Sequence, residues 1–308
     1  MKNFIDTLVN IWKIEDLRQK ILNTLGFLLI YRLGSFIVLP GVDSLALQAA
    51  NSDPQGLAAL INTFAGGAFS RASIFALGIM PYISASIVMQ LLGVAVPAIQ
   101  KMQKEGESGR KKFNQWTRIL TIAICAAQAP AYIQTQVPES AIVMSSGMFN
   151  ILSVLILVTG TMFVMWLGER ITDKGIGNGI SLIIMIGIVA NLPTAFLFEV
   201  DSRFDGGGLV MLLVEMVFLL LVIVVTILLV QGTRRIPVQF AKRVVGNKQY
   251  GGARQFVPIK VNAAGVMPII FAQAIMFIPI TVAGFADSES MTGFAAAFAD
   301  ITGFWYNA

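Results

Sequence analysis

The chain has 308 residues, 56% of them hydrophobic and 13% charged, with a mean hydropathy of +0.75 and a formal charge of +5. That balance is far from a soluble domain and makes lipid the solvent for most of the chain. With no histidine and one cysteine, Cys125, it excludes a Cys/His zinc site, a histidine general base and a disulfide framework.

Residues 1–20 carry Phe4, Ile5, Leu8, Ile11 and Trp12 at helical spacing beside Lys13, Arg18 and Lys20. This predicts an amphipathic helix on a cytoplasmic membrane surface. Residues 21–39 form the first apolar span, stopped by Pro40-Gly41. Its Arg32 is costly in lipid and is expected to face other helices or to reach outward. The run 56–69, GLAALINTFAGGAF, is too short to cross. It predicts a short helix ended by Gly66-Gly67, either an interfacial loop helix or a re-entrant cap. Residues 72–96 then pass without a charge. As one helix they would measure ~37 Å, more than a hydrocarbon core of ~30 Å. Gly78, Pro81, Ser84, Ser86 and Gln90 inside that run point to helix neighbours or a water-filled path.

Residues 101–112, KMQKEGESGRKK, predict a flexible surface loop. Residues 116–134 are a third span interrupted by Gln128 and Pro130, with Cys125 as a packing residue. A polar loop (136–146), a fourth span (149–167) and a tight charged turn (168–174) follow. GIGNGIS opens a fifth span that ends near Phe198. Its glycines lack a dinucleotide fingerprint and predict a close-packed turn at a helix start. Residues 199–207 are polar. Residues 209–230 are the sixth span, with Glu215 near its outer end. In 232–258, Val238, Phe240, Val244 and Val245 give a loose strand pattern with Gly246-Asn247 as a hairpin turn. The result is a basic finger bearing Arg234, Arg235, Lys242, Arg243, Lys248 and Arg254, which either fixes topology or docks a polyanion. Residues 261–285 are the seventh span, and the tail 286–308 starts too polar to be another.

Of the 22 lysines and arginines, 19 lie before span one or in and at the edges of the connections between spans two and three, four and five, and six and seven. This asymmetry places the N-terminus and those connections in the cytoplasm. Residues 78–89, GIMPYISASIVM, also echo residues 265–276, GVMPIIFAQAIM, with Gly, Met, Pro, Ile, Ala and Met in register. Spans two and seven run in opposite directions, so the echo marks an inverted repeat of five-helix units, a design that puts a path at the repeat interface.

Three classes of function are then weighed. An enzyme is the weakest, since no acids, bases or metal ligands cluster within the spans. A small-solute transporter fits the repeat but lacks mid-depth carboxylates. A protein-conducting channel needs a path without a fixed binding site, closed by apolar side chains that yield. Ile79, Ile83, Ile180, Ile184 and Ile270, in segments rich in small and polar residues, suit that third class.

The runs GGAFSRASIFALGIMPYISASIVMQLL, KEGESGRKK, VTGTMFVMWLGERITDKGIGNGIS and KVNAAGVMPIIFAQ closely resemble the SecY family, the channel subunits of the Sec protein translocase. The resemblance extends from about Arg18 to about Ala283. It implies an all-α polytopic membrane protein, a clamshell of two inverted five-helix halves, of which this chain supplies the first half (21–207) and two spans of the second (208–308). It implies no enzyme activity and no cofactor. The pore ring maps onto the five isoleucines. The plug maps onto 57–69, with Leu57, Leu60, Ile61, Phe64, Gly66 and Gly67. The basic finger maps onto the dock for the ribosome or the SecA motor, meeting rRNA through phosphates. A lateral gate would lie between spans two/three and seven/eight, incomplete here. The implied partners are SecE and SecG, signal sequences, nascent chains and membrane lipids, in a bacterial inner membrane.

Overall fold

The computed structural model describes residues 12–50, 62–205, 208–239, 243–245, 248–250 and 254–262. These divide between Pro193 and Thr194 into two compact units, each taken by itself. In the first, helix α1 (Glu15–Gly34) joins the end of the expected surface helix to the first span. It stops at Gly34 rather than continuing to residue 39. A Cβ at 34 would run into the Phe75 ring, and the Ser35 N–H turns back to the Tyr31 carbonyl. After α2 (Ser44–Ala50), the next described residues begin at Asn62.

The largest departure from expectation is in 72–96. Only α3 (Met80–Ala95) is helical there, opened by Pro81 in the first turn, where a missing N–H costs nothing. Residues 66–79 are a compact chain of turns, with Gly66, Gly67, Ala72 and Gly78 all at positive φ. Irregular backbone at membrane depth is tolerated only inside protein. That condition is met: Ala65, Ala68, Ala72, Ala76 and Ile79 are buried. The backbone groups freed from a helix are also paired. Leu39 N–H donates to the Ala72 carbonyl and Ile74 N–H to the Ile37 carbonyl, each at 2.9 Å.

The expected loop 101–112 is two helices around one break. Helix α4 (Pro97–Lys104) leaves α3 at 103°, and α5 (Glu107–Gln136) starts after Gly106 at φ +78°. The residues are polar because a surface helix turn is polar, and Glu107 and Lys111 pair at i, i+4 (3.3 Å). Helix α5 runs through Pro130 without ending. The polar loop 136–146 holds a 3₁₀ turn, Glu139–Ala141, and a bridge from Ile142 to Val42. Helix α6 (Ser146–Lys174) continues through 168–174, where a turn was expected. Gly168 there marks a close approach to Ile180, not a chain reversal, and Glu169 pairs with Arg118 at 2.7 Å. The true turn is 175–178, before α7 (Gly179–Ala190).

Helix α8 (Leu192–Asp205) extends through most of the expected polar stretch 199–207. In the second unit Arg203 pairs with Glu199 at 2.8 Å and with Glu215 at 2.5 Å, which neutralises the one acid of α9 (Leu209–Gln231). Helix α9 is apolar on every side with none of its span buried, the signature of a helix solvated by lipid or by a partner. By length and composition, Ser146–Lys174, Gly179–Phe204 and Val210–Gln231 can cross a membrane, and the bent pair α3–α4 would make a fourth only if it is counted as one broken span. The three correspond to expected spans four, five and six, and α3 is the helical part of expected span two. Spans one and three are α1 and α5, long but more polar. Span seven and its echo lie outside the described residues.

The basic finger is built as two nested antiparallel ladders. Strand β1 (Thr233–Gln239) pairs with β4 (Arg254–Lys260), and β2 (Arg243–Val245) pairs with β3 (Lys248–Tyr250). Val245 stands opposite Lys248, so two residues, Gly246-Asn247, connect them as expected. The pattern of β4 was not visible in the sequence, and both Pro237 and Pro258 argue against strands. In a two-stranded ribbon each strand is an edge, so a proline is tolerated.

Candidate functional site

Chain chemistry builds the site from two helix starts and one irregular segment. Asn178 caps α7: its Oδ1 accepts from the N–H groups of Ile180 (3.0 Å) and Ser181 (3.2 Å). Thr172 Oγ1 accepts from Gly179 N–H at 2.9 Å, and Thr24 Oγ1 accepts from Ile176 N–H at 3.1 Å. A Cβ at Gly179 would strike the Gly168 carbonyl, so only glycine lets α7 begin this close to α6. Asn178→Ala is expected to cost about 1 kcal/mol of full-length protein stability, read as an earlier unfolding transition in mixed micelles.

This start aims one face of α7 at the irregular segment. Ile180, Ile184 and Gly187 follow at i, i+4, i+7. Ile79 is 6% exposed and shares a cluster with Phe75 and Ile183; Ile83, Ile180 and Ile184 pack half-buried at its margin. Four of the five expected ring residues are therefore brought together, from α3, α7 and the turn that precedes α3. Ile270 lies outside the described residues. The assembled surface is hydrocarbon, suited to excluding water and ions and unsuited to holding a particular solute.

Gly66 is buried and Phe64 and Gly67 are half-buried, while Leu57, Leu60 and Ile61 lie outside the described residues. The segment docks by backbone. A Cβ at Gly187 would strike the Phe64 carbonyl, and a Cβ at Gly66 would meet Gly187 Cα at 3.1 Å. Tyr132 O–H donates to the Phe69 carbonyl at 2.6 Å, and the two rings meet edge-on at 4.9 Å. Of the two courses expected for it, Arg32 takes the inward one and donates to the Gly66 carbonyl at 2.9 Å. Sequence reasoning missed Gly187, Tyr132 and Arg71 here. The spacing of Gly187 behind Ile180 and Ile184 carried a signal; nothing local marked Tyr132.

In the separate basic ribbon, Arg234 and Arg235 are exposed and project to opposite faces. Arg243, Lys248 and Arg254 stand in β2, β3 and β4, and Lys242 lies outside the described residues. An apolar cavity of about 460 Å³ opens between α3, α4 and α5, lined by residues such as Met89, Leu92, Met102, Trp116 and Leu120.

Comparison with known proteins gives a consistent picture. The SecY family model matches residues 73–307. Protein translocase subunit SecY of Streptomyces scabiei is 42% identical over 299 residues, covering 92% of this chain and 68% of the relative. The same subunit of Escherichia coli (strain K12) is 45% identical over 275 residues, covering 87% and 62%. Sec61 in the canine ribosome–channel complex from the endoplasmic reticulum superposes with a TM-score of 0.61 at 18% identity, covering 88% of this chain and 60% of its own, a likeness of fold. The chain thus spans roughly two thirds of the length of these relatives.

Proposed function

Because the chain belongs to the SecY family, we propose that it acts, in its full-length form, as the protein-conducting channel subunit of a Sec translocon. Unfolded secretory chains would pass through it, and membrane segments would leave sideways into lipid. The observation that carries this reading is the irregular segment 66–79, buried inside the bundle and ending at the isoleucine cluster. A helix bundle that only anchors a protein has no use for such a segment. A conduit with a removable obstruction does. In this reading Ile79, Ile83, Ile180, Ile184 and Ile270 form the constriction. Phe64, Gly66 and Gly67 belong to the plug, whose other members are Leu57, Leu60 and Ile61.

The conduit is passive rather than enzymatic. Drive would come from a translating ribosome or the SecA motor, met by Arg234, Arg235, Lys242, Arg243, Lys248 and Arg254. A signal sequence would stabilise the open state by binding it preferentially. SecE and SecG would flank the bundle in a bacterial cytoplasmic membrane, with residues 1–20 on the cytoplasmic face. Residues 21–207 would form one half of the clamshell and 208–308 the start of the other, with spans two and three as one side of a lateral gate.

Crosslinking tests the path. A full-length Cys125→Ala background carries one cysteine at Ile83 or at Leu219, the latter 51% exposed on α9. A secretory chain with a single cysteine is stalled in transit and oxidised. Disulfides are expected from position 83 and not from 219. Normal transit with disulfides from neither position refutes the path and returns the small-solute transporter to contention.

A further inference from the structure

Two guanidinium groups meet at one carbonyl. Arg32 Nη1 and Arg71 Nη2 each donate to the Gly66 carbonyl oxygen at 2.9 Å. Both also lie over the Phe36 ring, 4.9 and 4.5 Å from its centroid. An oxygen with two lone pairs accepts both bonds. The arrangement nonetheless holds two like charges close together. Among the described residues, no carboxylate pairs with either arginine. The acceptor is neutral, so the contact is charge-assisted from one side only.

The two bonds differ in what they join. Arg71 lies on the same segment as Gly66, so its bond closes a local loop. Arg32 lies on α1, so its bond ties the segment to the surrounding helices. The tied residue opens a Gly66-Gly67 pair at φ +63° and +82°, a conformation that glycine enters and leaves without side-chain penalty. Hydrogen bonds from Leu39 and to Ile37 hold the chain at Ala72 and Ile74, beyond that pair.

We propose that Arg32 is a positioning residue: its shared bond to the Gly66 carbonyl holds the front of the re-entrant segment in its buried place, and breaking it is the first event when the segment moves aside. The purpose of that movement rests on the channel reading above; the tie itself does not. A full carboxylate partner would make a tighter latch. A neutral acceptor shared with a second cation makes one that a modest competing interaction can release.

The test uses the full-length protein in native membranes, in a Cys125→Ala background. Ala68→Cys puts a thiol at a fully buried site just past the tie, and Val164→Cys puts a control thiol in α6, also at 0% exposure. Labelling by a water-soluble maleimide is timed at rest, without any translocating chain. Arg32→Met removes the donor but keeps an unbranched stem, while Arg32→Lys keeps a cationic donor. Arg32→Met is expected to speed labelling at 68 about tenfold, the scale of one lost charge-assisted hydrogen bond. Arg32→Lys should leave it within about twofold, and labelling at 164 should not change. Three results overturn the proposal: no acceleration in Arg32→Met, equal acceleration at 68 and 164, or an Arg71→Met variant that matches Arg32→Met. Because no polypeptide is in transit, failure here is separate from failure of the crosslink at Ile83.

Discussion

In planar bilayers, the full-length protein carrying Ile83→Gly and Ile184→Gly is expected to leak ions at rest several-fold more than the parent. A barrier made of hydrocarbon works by excluding water, and it fails when the side chains that meet across the gap are removed. These two positions are the productive ones to change. Both are half-buried at the margin of the Ile79–Ile183 cluster, so each presents part of its side chain to free space. Ile183 itself is 1% exposed and would report on core packing instead. Each glycine costs its helix about 1 kcal/mol relative to alanine, small against the stability of a polytopic bundle. Leucine at both positions keeps the volume and is the matched control, expected to leak like the parent. Equal resting conductance in the glycine and leucine pairs removes these residues from the constriction, whatever the family resemblance implies.

The second large effect is at Gly160, in the middle of α6. A Cβ there would strike the Ile74 carbonyl, with the Phe75 ring 3.3 Å away. The obstacle is backbone, and it is the backbone of the irregular segment, held in turn by the Ile37 carbonyl at 2.9 Å. Nothing nearby can rotate out of the way. Gly160→Ala is therefore expected to destabilise the full-length protein by about 1–3 kcal/mol, the usual range for overpacking. Gly26 in α1 is the counterpart: it is exposed and has no neighbour within 4 Å of its would-be Cβ. Gly26→Ala should be neutral or stabilising by up to about 1 kcal/mol, because alanine is the better helix former. Steric unfolding in mixed micelles separates the two. An unfolding transition for Gly160→Ala that coincides with the parent's would mean that α6 and the segment stand further apart than described.

Much of this was readable before any coordinates. Length of apolar runs, and the cost of leaving backbone groups unpaired in lipid, placed the helices that became α6, α7 and α9. The glycines of GIGNGIS announced a crowded helix start, and Gly177 at φ +71° with Gly179 against Gly168 is such a start. Arg32 was expected on solvation grounds to face other helices or to reach outward, and it takes the first course. Gly246-Asn247 was enough to join β2 to β3.

Two of the failures, at 72–79 and at Gly168, share one cause. Residues 72–79 are as apolar and uncharged as a membrane helix, so composition alone assigned them to one. What prevents a helix there is the company: Gly160 and Gly34 admit the Ile74 carbonyl and the Phe75 ring, and the Ile37 and Ala72 carbonyls take part in hydrogen bonds across the segment. These neighbours are far away in sequence, and hydropathy cannot see them. Gly168 was misread in the same way, since a glycine that makes room for Ile180 looks like a glycine that reverses the chain. Residue chemistry and order were enough to establish that the chain lives in lipid, roughly where it crosses and which connections are basic. It took the folded arrangement to show that residues 66–79 are irregular, that Ile83, Ile180 and Ile184 pack at the margin of the cluster that holds Ile79, and that Arg32 donates to the Gly66 carbonyl. Solvation energy is a property of each residue and its near neighbours in the chain, whereas close packing belongs to pairs of residues that only folding brings together.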